Sequence, residues 1–318
     1  MLGLSPDLKI DEVFRSEAMW ITNYHCCKQD PACGGEEQQP GHVITFPRSG
    51  VYALHIDGQL VVADPNTIIF HNHHSPYRTS HPYGCGDCGG GFVLRPDILL
   101  EVVRRHDPSV MDRPESPFAF THGPSDPKIC LLQRILWQQI MAGRREGRDP
   151  VAVEEIMLHL VDGAIGAACR HAGTRAEHSR ALARTSTARA HAEYADAVKG
   201  LLAKRMRERL SLDDIARAVH CSPFHLARLF RRQTGMTIHQ YLNRLRLRTS
   251  LDYLADRGTD LAHLALELGF CSHSHYSDAF RREFGMSPSR VRRMIAKPTN
   301  GSAYALTGLW EHASGRKV

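Results

Sequence analysis

Three patterns of apolar and polar positions follow one another along this 318-residue chain. From residue 16 to about 94 the apolar residues come in short runs, HVITFP, VYALHI, LVVA, TIIF and GFVL, preceded by the loosely alternating EAMWITNYH. Residues that turn the chain separate them: Arg48-Ser49-Gly50, Asp57-Gly58, Asp64-Pro65-Asn66 and Ser75-Pro76. Short strands at this close spacing predict a small sandwich or barrel.

After Arg95-Pro96 the period changes. DILLEVVRR predicts a short helix, and a loop with several prolines follows over 107–127. Ile129, Leu132, Ile135, Leu136 and Ile140 then recur at helical spacing. Pro150 opens a second helix, with Val153, Ile156, Met157, Leu160, Val161, Ala164 and Ile165 on one stripe. Gly143 and Gly147 between them predict an antiparallel helix pair. Such a pair can pack on the β domain, form a dimer interface, or do both. The small, polar and basic stretch 171–190 is expected to link two domains, with some helix in it.

The third pattern is a repeat with a period near 50. LDDIARAVHCSPFHLARLFRRQTGM starts at Leu212 and LAHLALELGFCSHSHYSDAFRREFGM at Leu261, and each predicts helix, short turn, helix. The boundaries have local causes. Ser211 and Asp214 have the spacing of a capping box. Ser222 can cap the next helix with Pro223 in its first position, and Gly235 suits a left-handed stop. In the second copy Thr259 or Asp260 opens, Gly269 marks the turn, Ser272 caps and Gly285 stops. Thr237 and Gln240 cap a connecting helix that ends near Gly258. About 18 residues at about 1.5 Å each separate the two units by roughly 27 Å. That is close to one turn of DNA, about 34 Å, so one chain can address two successive major-groove segments.

Helical geometry sorts the faces of the second helix in each unit. Leu226, Leu229 and Phe230 lie on the core side of one, Tyr276, Ala279 and Phe280 on that of the other. Outward on the first lie Phe224, Ala227, Arg228 and Arg231, flanked by His225 and Arg232. Outward on the second, which begins at His273, lie Ser274, Asp278 and Arg281, flanked by His275, Ser277 and Arg282. Arg228 is placed to pair bidentately with guanine, and Asp278 can accept from cytosine or simply pair Arg281 or Arg282. Arg231, Arg232, Arg281 and Arg282 come late in their helices, where phosphate contact is expected.

Charge supports this division. Residues 191–297 hold 19 Lys and Arg against 11 Asp and Glu, a net of +8, whereas the whole chain is +6. The basic excess is therefore confined to the C-terminal segment and points to a polyanion as its partner. FHLARLFRRQTGMTIHQYLNRLRL and ALELGFCSHSHYSDAFRREFGMSPSRVRR resemble the AraC/XylS family of bacterial transcription regulators. The resemblance covers residues 195–296. It implies two helix-turn-helix subdomains joined by a long helix, promoter binding, and activation through RNA polymerase. FPRSGVY, VVADPNTIIF and YRTSHPYGCGD resemble, less closely, the N-terminal domain of some members. That implies a cupin-like β domain that takes a small effector, followed by dimerising helices.

The expected fold class is therefore α+β multidomain. It comprises a cupin-like domain over 10–100, helices over 101–170, a linker over 171–190, an all-α double helix-turn-helix domain over 191–297 and a tail over 298–318. The two motifs fall at about 211–232 and 259–282. The expected function is a sequence-specific regulator, an activator and not an enzyme, that works as a homodimer on double-stranded promoter DNA. The opening MLGLSPDLKIDE lacks the basic and apolar regions of a secretory signal, and no stretch has the roughly 20 apolar residues of a membrane helix. A cytoplasmic protein is expected.

Two features of the N-terminal third bear on chemistry. His71, His73, His74 and His81 suggest a cupin metal site, but HNHH is followed by SPYR with no carboxylate at the enzymatic spacing. This weighs against the alternative reading, a cupin-like metalloenzyme with an accessory DNA-binding module. Cys26, Cys27 and Cys33, with the CxxC pair Cys85 and Cys88, can supply thiolates to zinc or another thiophilic metal. They can equally act as a redox sensor or pack as small residues.

Overall fold

The structure, a computed structural model, describes residues 7–28, 32–84, 86–146, 150–182, 186–256 and 258–296. The apolar runs form β2 (Met19–Cys26), β4 (Val43–Ser49), β5 (Tyr52–Ile56), β6 (Gln59–Ala63), β7 (Thr67–His71) and β9 (Asp87–Leu94). Four further strands carry no apolar run: β1 (Leu8–Arg15), β3 (Glu37–Gln38), β8 (Pro76–Ser80) and β10 (His122–Pro124). β1 is an edge strand whose first residues are mostly exposed, so it lacks the buried alternation that marks a strand in sequence.

The strands make two antiparallel sheets. One has six strands in the order β1-β2-β9-β4-β7-β10, the other four in the order β3-β8-β5-β6. Because side chains alternate along a strand, the six-stranded sheet serves two environments. Ile21, Ile44, Phe46, Ile68, Phe70 and Phe92 project to one side, into a core shared with the helices. Thr22, Tyr24, Cys26, Val43, Thr45 and Val93 project to the other, into a cavity that the four-stranded sheet helps to line.

The helices are α1 (Pro96–Arg104), α2 (Pro127–Glu146), α3 (Pro150–Leu182), α4 (Ser186–Lys204), α5 (Leu212–Ala218), α6 (Pro223–Thr234), α7 (Ile238–Leu254), α8 (Leu261–Glu267), α9 (His273–Phe284) and α10 (Pro288–Ala296). The apolar stripes of α2 and α3 are buried within the chain, so packing on the β domain is one use of the pair. β10 lies tightly on α3: a Cβ at Gly123 would stand 2.7 Å from that of Ala168. The stretch expected as a linker with some helix in it is helical where it is described, with α3 running on through Leu182 and α4 starting at Ser186. The tail 298–318 lies outside the described residues. No described helix is long and apolar enough to cross a membrane.

The two helix-turn-helix units sit differently. The first has its own core, in which Ala195, Val198 and Leu202 of α4 meet Leu226, Leu229 and Phe230 of α6 and Tyr241 and Leu245 of α7. The core of the second, including Tyr276, Phe280 and Val291, is continuous with the core between the helices and the six-stranded sheet. Polar contacts join the β domain to α7. Tyr241 donates to Asp64, and Arg134 of α2, which also donates to the Arg48 carbonyl of β4, pairs with Asp252. Arg248, fully buried, donates to the carbonyls of Pro65 (2.8 Å) and Ser125. Tyr83 also donates to the Asp196 carbonyl of α4 at 3.2 Å.

The turns inside the two units give a local test. His220 (φ 53°) and Gly269 (φ 80°) occupy equivalent left-handed positions, each followed by an N–H that closes on the preceding helix at 2.9 Å. A Cβ at Gly269 would also stand 2.6 Å from Arg246 Nη2. Gly269→Ala is therefore expected to cost about 1–3 kcal/mol, adding left-handed strain to the clash. His220→Ala, where that strain is already present and the side chain is exposed, should change stability by less than about 0.5 kcal/mol. Chemical denaturation of the two variants checks the difference.

Candidate functional sites

The capping residues fix where each exposed helix begins and which way it points. Ser211 and Asp214 close a reciprocal box on α5, and Thr237 and Gln240 do the same on α7. Ser222 Oγ accepts from the His225 N–H and Ser272 Oγ from the His275 N–H, so α6 and α9 start alike. They end alike too, since Gly235 and Gly285, both left-handed, donate to the Arg231 and Arg281 carbonyls at 2.8 Å. Between the pairs α7 runs 17 residues, about 26 Å.

Their outward faces hold the residues read from sequence. On α6, Phe224 is 80% exposed, His225, Arg228, Arg231 and Arg232 are exposed, and Ala227 is half-buried. On α9, His273, Ser274, Asp278, Arg281 and Arg282 are exposed and Ser277 is half-buried. Asp278 stands 4.0 Å from Arg281 and accepts through its backbone from Arg282 Nε, so it is partly engaged within its own helix. One further residue joins the α6 face. His191 of α4 meets Arg232 Nη2 at 2.6 Å and lies beside the His225 ring. Desolvation, and then the neighbouring Arg232, His225 and Arg228, hold the His191 imidazole below its usual range. Its place at the edge of the sequence repeat gave no sign of this role.

Comparison with known proteins fits this geometry. A family model described as a helix-turn-helix domain matches residues 215–294. The transcriptional activator RhaS of Escherichia fergusonii is 38% identical over 86 residues, 27% of this chain and 31% of that protein. The bifunctional transcriptional activator and DNA repair enzyme AdaA of Bacillus subtilis is 26% identical over 102 residues, 32% of this chain and 48% of that protein. The chain carries an AraC/XylS-type DNA-binding domain. Its matches span less than half the length of these relatives. A solved AraC-type regulator from Chromobacterium violaceum aligns with 36% of this chain and 99% of its own at 29% identity, with a TM-score of 0.31.

Outside the AraC-type domain, the described members of the cysteine set singled out by sequence, Cys26, Cys27, Cys33 and Cys88, form no common cluster. Cys26 lies directly across from Asp87 in the β2–β9 register, and Cys88 follows Asp87. Neighbouring residues in a strand face opposite sides of the sheet, so Cys26 and Cys88 point apart. Cys88 Sγ instead meets Ser49 Oγ at 3.0 Å. Cys27 and Cys33 are exposed, and Cys85 lies outside the described residues.

What the sheets bring together is Cys26, His81 and Asp87, all buried beside a cavity of 760 Å³. Trp20, Val43, Leu54 and Val93 supply its apolar walls and Glu37, His71 and Tyr77 polar ones. His81 Nε2 meets Asp87 Oδ2 at 2.8 Å and Cys26 Sγ at 3.5 Å. Burial disfavours the charged ring, but these partners outweigh it and raise His81 to about 9.

His71 shows the opposite balance. It is buried, its Nδ1 has no partner among the described residues, and burial holds its pKa at about 4. It is neutral in the folded protein, whereas the unfolded chain takes up a proton below about 6.5. Stability should then be full above about pH 6.5 and be lost as pH falls toward 4. Between pH 7.5 and 5 the protein should lose about 2 kcal/mol more than His71→Phe. Urea unfolding at the two pH values measures this, and equal losses would remove the burial argument.

Proposed function

We propose that this protein is a sequence-specific transcription regulator, an activator, that reads promoter DNA with α6 and α9. The observation that carries the reading is the pair of exposed, identically capped helices joined through α7, each presenting arginines outward. Arg228 pairs with a guanine, and the adjoining Phe224 offers an apolar contact to a thymine methyl. Arg231, Arg232, Arg281 and Arg282 bind phosphates, with the neutral His191 ring accepting from Arg232 and holding that guanidinium in place. In this reading residues 10–100 form a cupin-like domain that takes a small effector, with the inter-sheet cavity as its site. Residues 101–170 dimerise the chain, 191–297 bind DNA, and the complex acts on RNA polymerase in the cytoplasm. The relatives named as activators support the sign of regulation.

The test is a mobility shift with the full chain on fragments selected from genomic DNA by binding to it. Arg228→Ala should weaken the selected site by about 1–3 kcal/mol and leave random DNA nearly unchanged. Arg231→Ala should weaken both alike and lower the salt slope by about one. If both variants weaken every sequence equally, the assignment of Arg228 is wrong. If selection enriches no sequence, the regulator reading fails.

A further inference from the structure

We infer that Cys26, His81 and Asp87 form a binding site for a divalent, thiophilic cation of the zinc class, with one coordination position open to the inter-sheet cavity. The ligands come from rigid parts of both sheets. Cys26 and Asp87 are register partners on β2 and β9 and so project from the same face, while His81 directly follows β8 of the other sheet. The three donor atoms lie within 4.8 Å of one another and all three residues are buried.

The arrangement differs from a nucleophilic relay. In a Cys–His–Asp relay the thiol and the carboxylate engage opposite ring nitrogens. Here both meet Nε2, while Nδ1 is buried with no partner among the described residues. One ring nitrogen has a single proton or a single lone pair, so it serves two acidic partners poorly. A cation in front of Nε2 serves all three groups. A tetrahedral ion with bonds of about 2.3 Å to sulfur and about 2.0 Å to nitrogen needs those atoms about 3.5 Å apart, and the sulfur–nitrogen distance is 3.5 Å. The closer carboxylate must open by about 0.5 Å.

Charge also balances. Binding releases the Cys26 thiol proton and the His81 Nε2 proton, and thiolate plus carboxylate then cancel a divalent ion, which suits a buried place. Three protein ligands leave a fourth position for water or for a donor atom of a small molecule, the pattern of an open rather than a structural site. Apolar walls around that position would let a ligand bury its body while a single donor atom meets the metal.

The test is a cobalt titration of the full chain after removal of bound metal with a chelator. One equivalent of Co²⁺ should give a thiolate-to-cobalt charge-transfer band with the intense visible bands of a four-coordinate ion, and Zn²⁺ should abolish both. Cys26→Ser should lose the charge-transfer band. The quadruple variant Cys27→Ser/Cys33→Ser/Cys85→Ser/Cys88→Ser should retain it. Asp87→Asn, which keeps the thiolate, should weaken Co²⁺ binding by about tenfold or more. The inference is overturned if no charge-transfer band forms at one equivalent, or if the quadruple variant loses it. Should Cys26→Ser not fold, the wild-type and quadruple-variant titrations still decide. DNA binding is read by a separate assay, so this result leaves the regulator reading untouched.

Discussion

A single buried guanidinium ties the molecule together. Arg248 sits midway along the connecting helix with no exposure to solvent, and its charge is satisfied from three directions. The carbonyls of Pro65 and Ser125 accept from it, and Glu283 of the second exposed helix lies 3.7 Å away. A buried cation left without such partners costs about 3–5 kcal/mol. The turn before β7, the segment before α2, the connecting helix and α9 must therefore keep one mutual arrangement. Tyr241 on Asp64 and Arg134 on Asp252 repeat the logic along the same helix. The helix that spaces the two exposed helix faces is also the surface on which the β domain rests.

This constraint makes the two helix-turn-helix units unequal. The first keeps a core of its own, built with α4. The second shares the core of the helices that pack on the β domain. Their outward chemistry differs in the same sense: α6 gathers Arg228, Arg231, Arg232 and the neighbouring His191, whereas Asp278 on α9 is partly engaged with its own helix. The Asp64-Pro65-Asn66 turn touches α7 directly, through hydrogen bonds from Tyr241 and Arg248.

The parts legible in sequence are those set by local rules. Caps act over two or three residues and left-handed stops over one, so the four helices of the repeat and their faces follow from Ser211, Ser222, Asp260, Ser272, Gly235 and Gly285. What sequence did not disclose depends on partners far along the chain. β1 is solvated over most of its length and shows no period. Over 171–190, where some helix is expected, composition does not say how far it extends; alanine is the best helix former, and α3 runs on through Leu182. The cysteines suggested a knuckle by spacing alone. In a strand, adjacent residues face opposite ways, so Asp87 rather than Cys88 joins Cys26. His81 reaches them from the other sheet, which no local pattern records.

If one chain reads two groove segments across α7, hydroxyl-radical footprinting of the full chain on a fragment it selects should show, at each half-site, two protected patches on one face of the duplex, centred about one helical turn apart. A single patch per half-site, or uniform cleavage at saturating protein, would mean that the two units do not read DNA together.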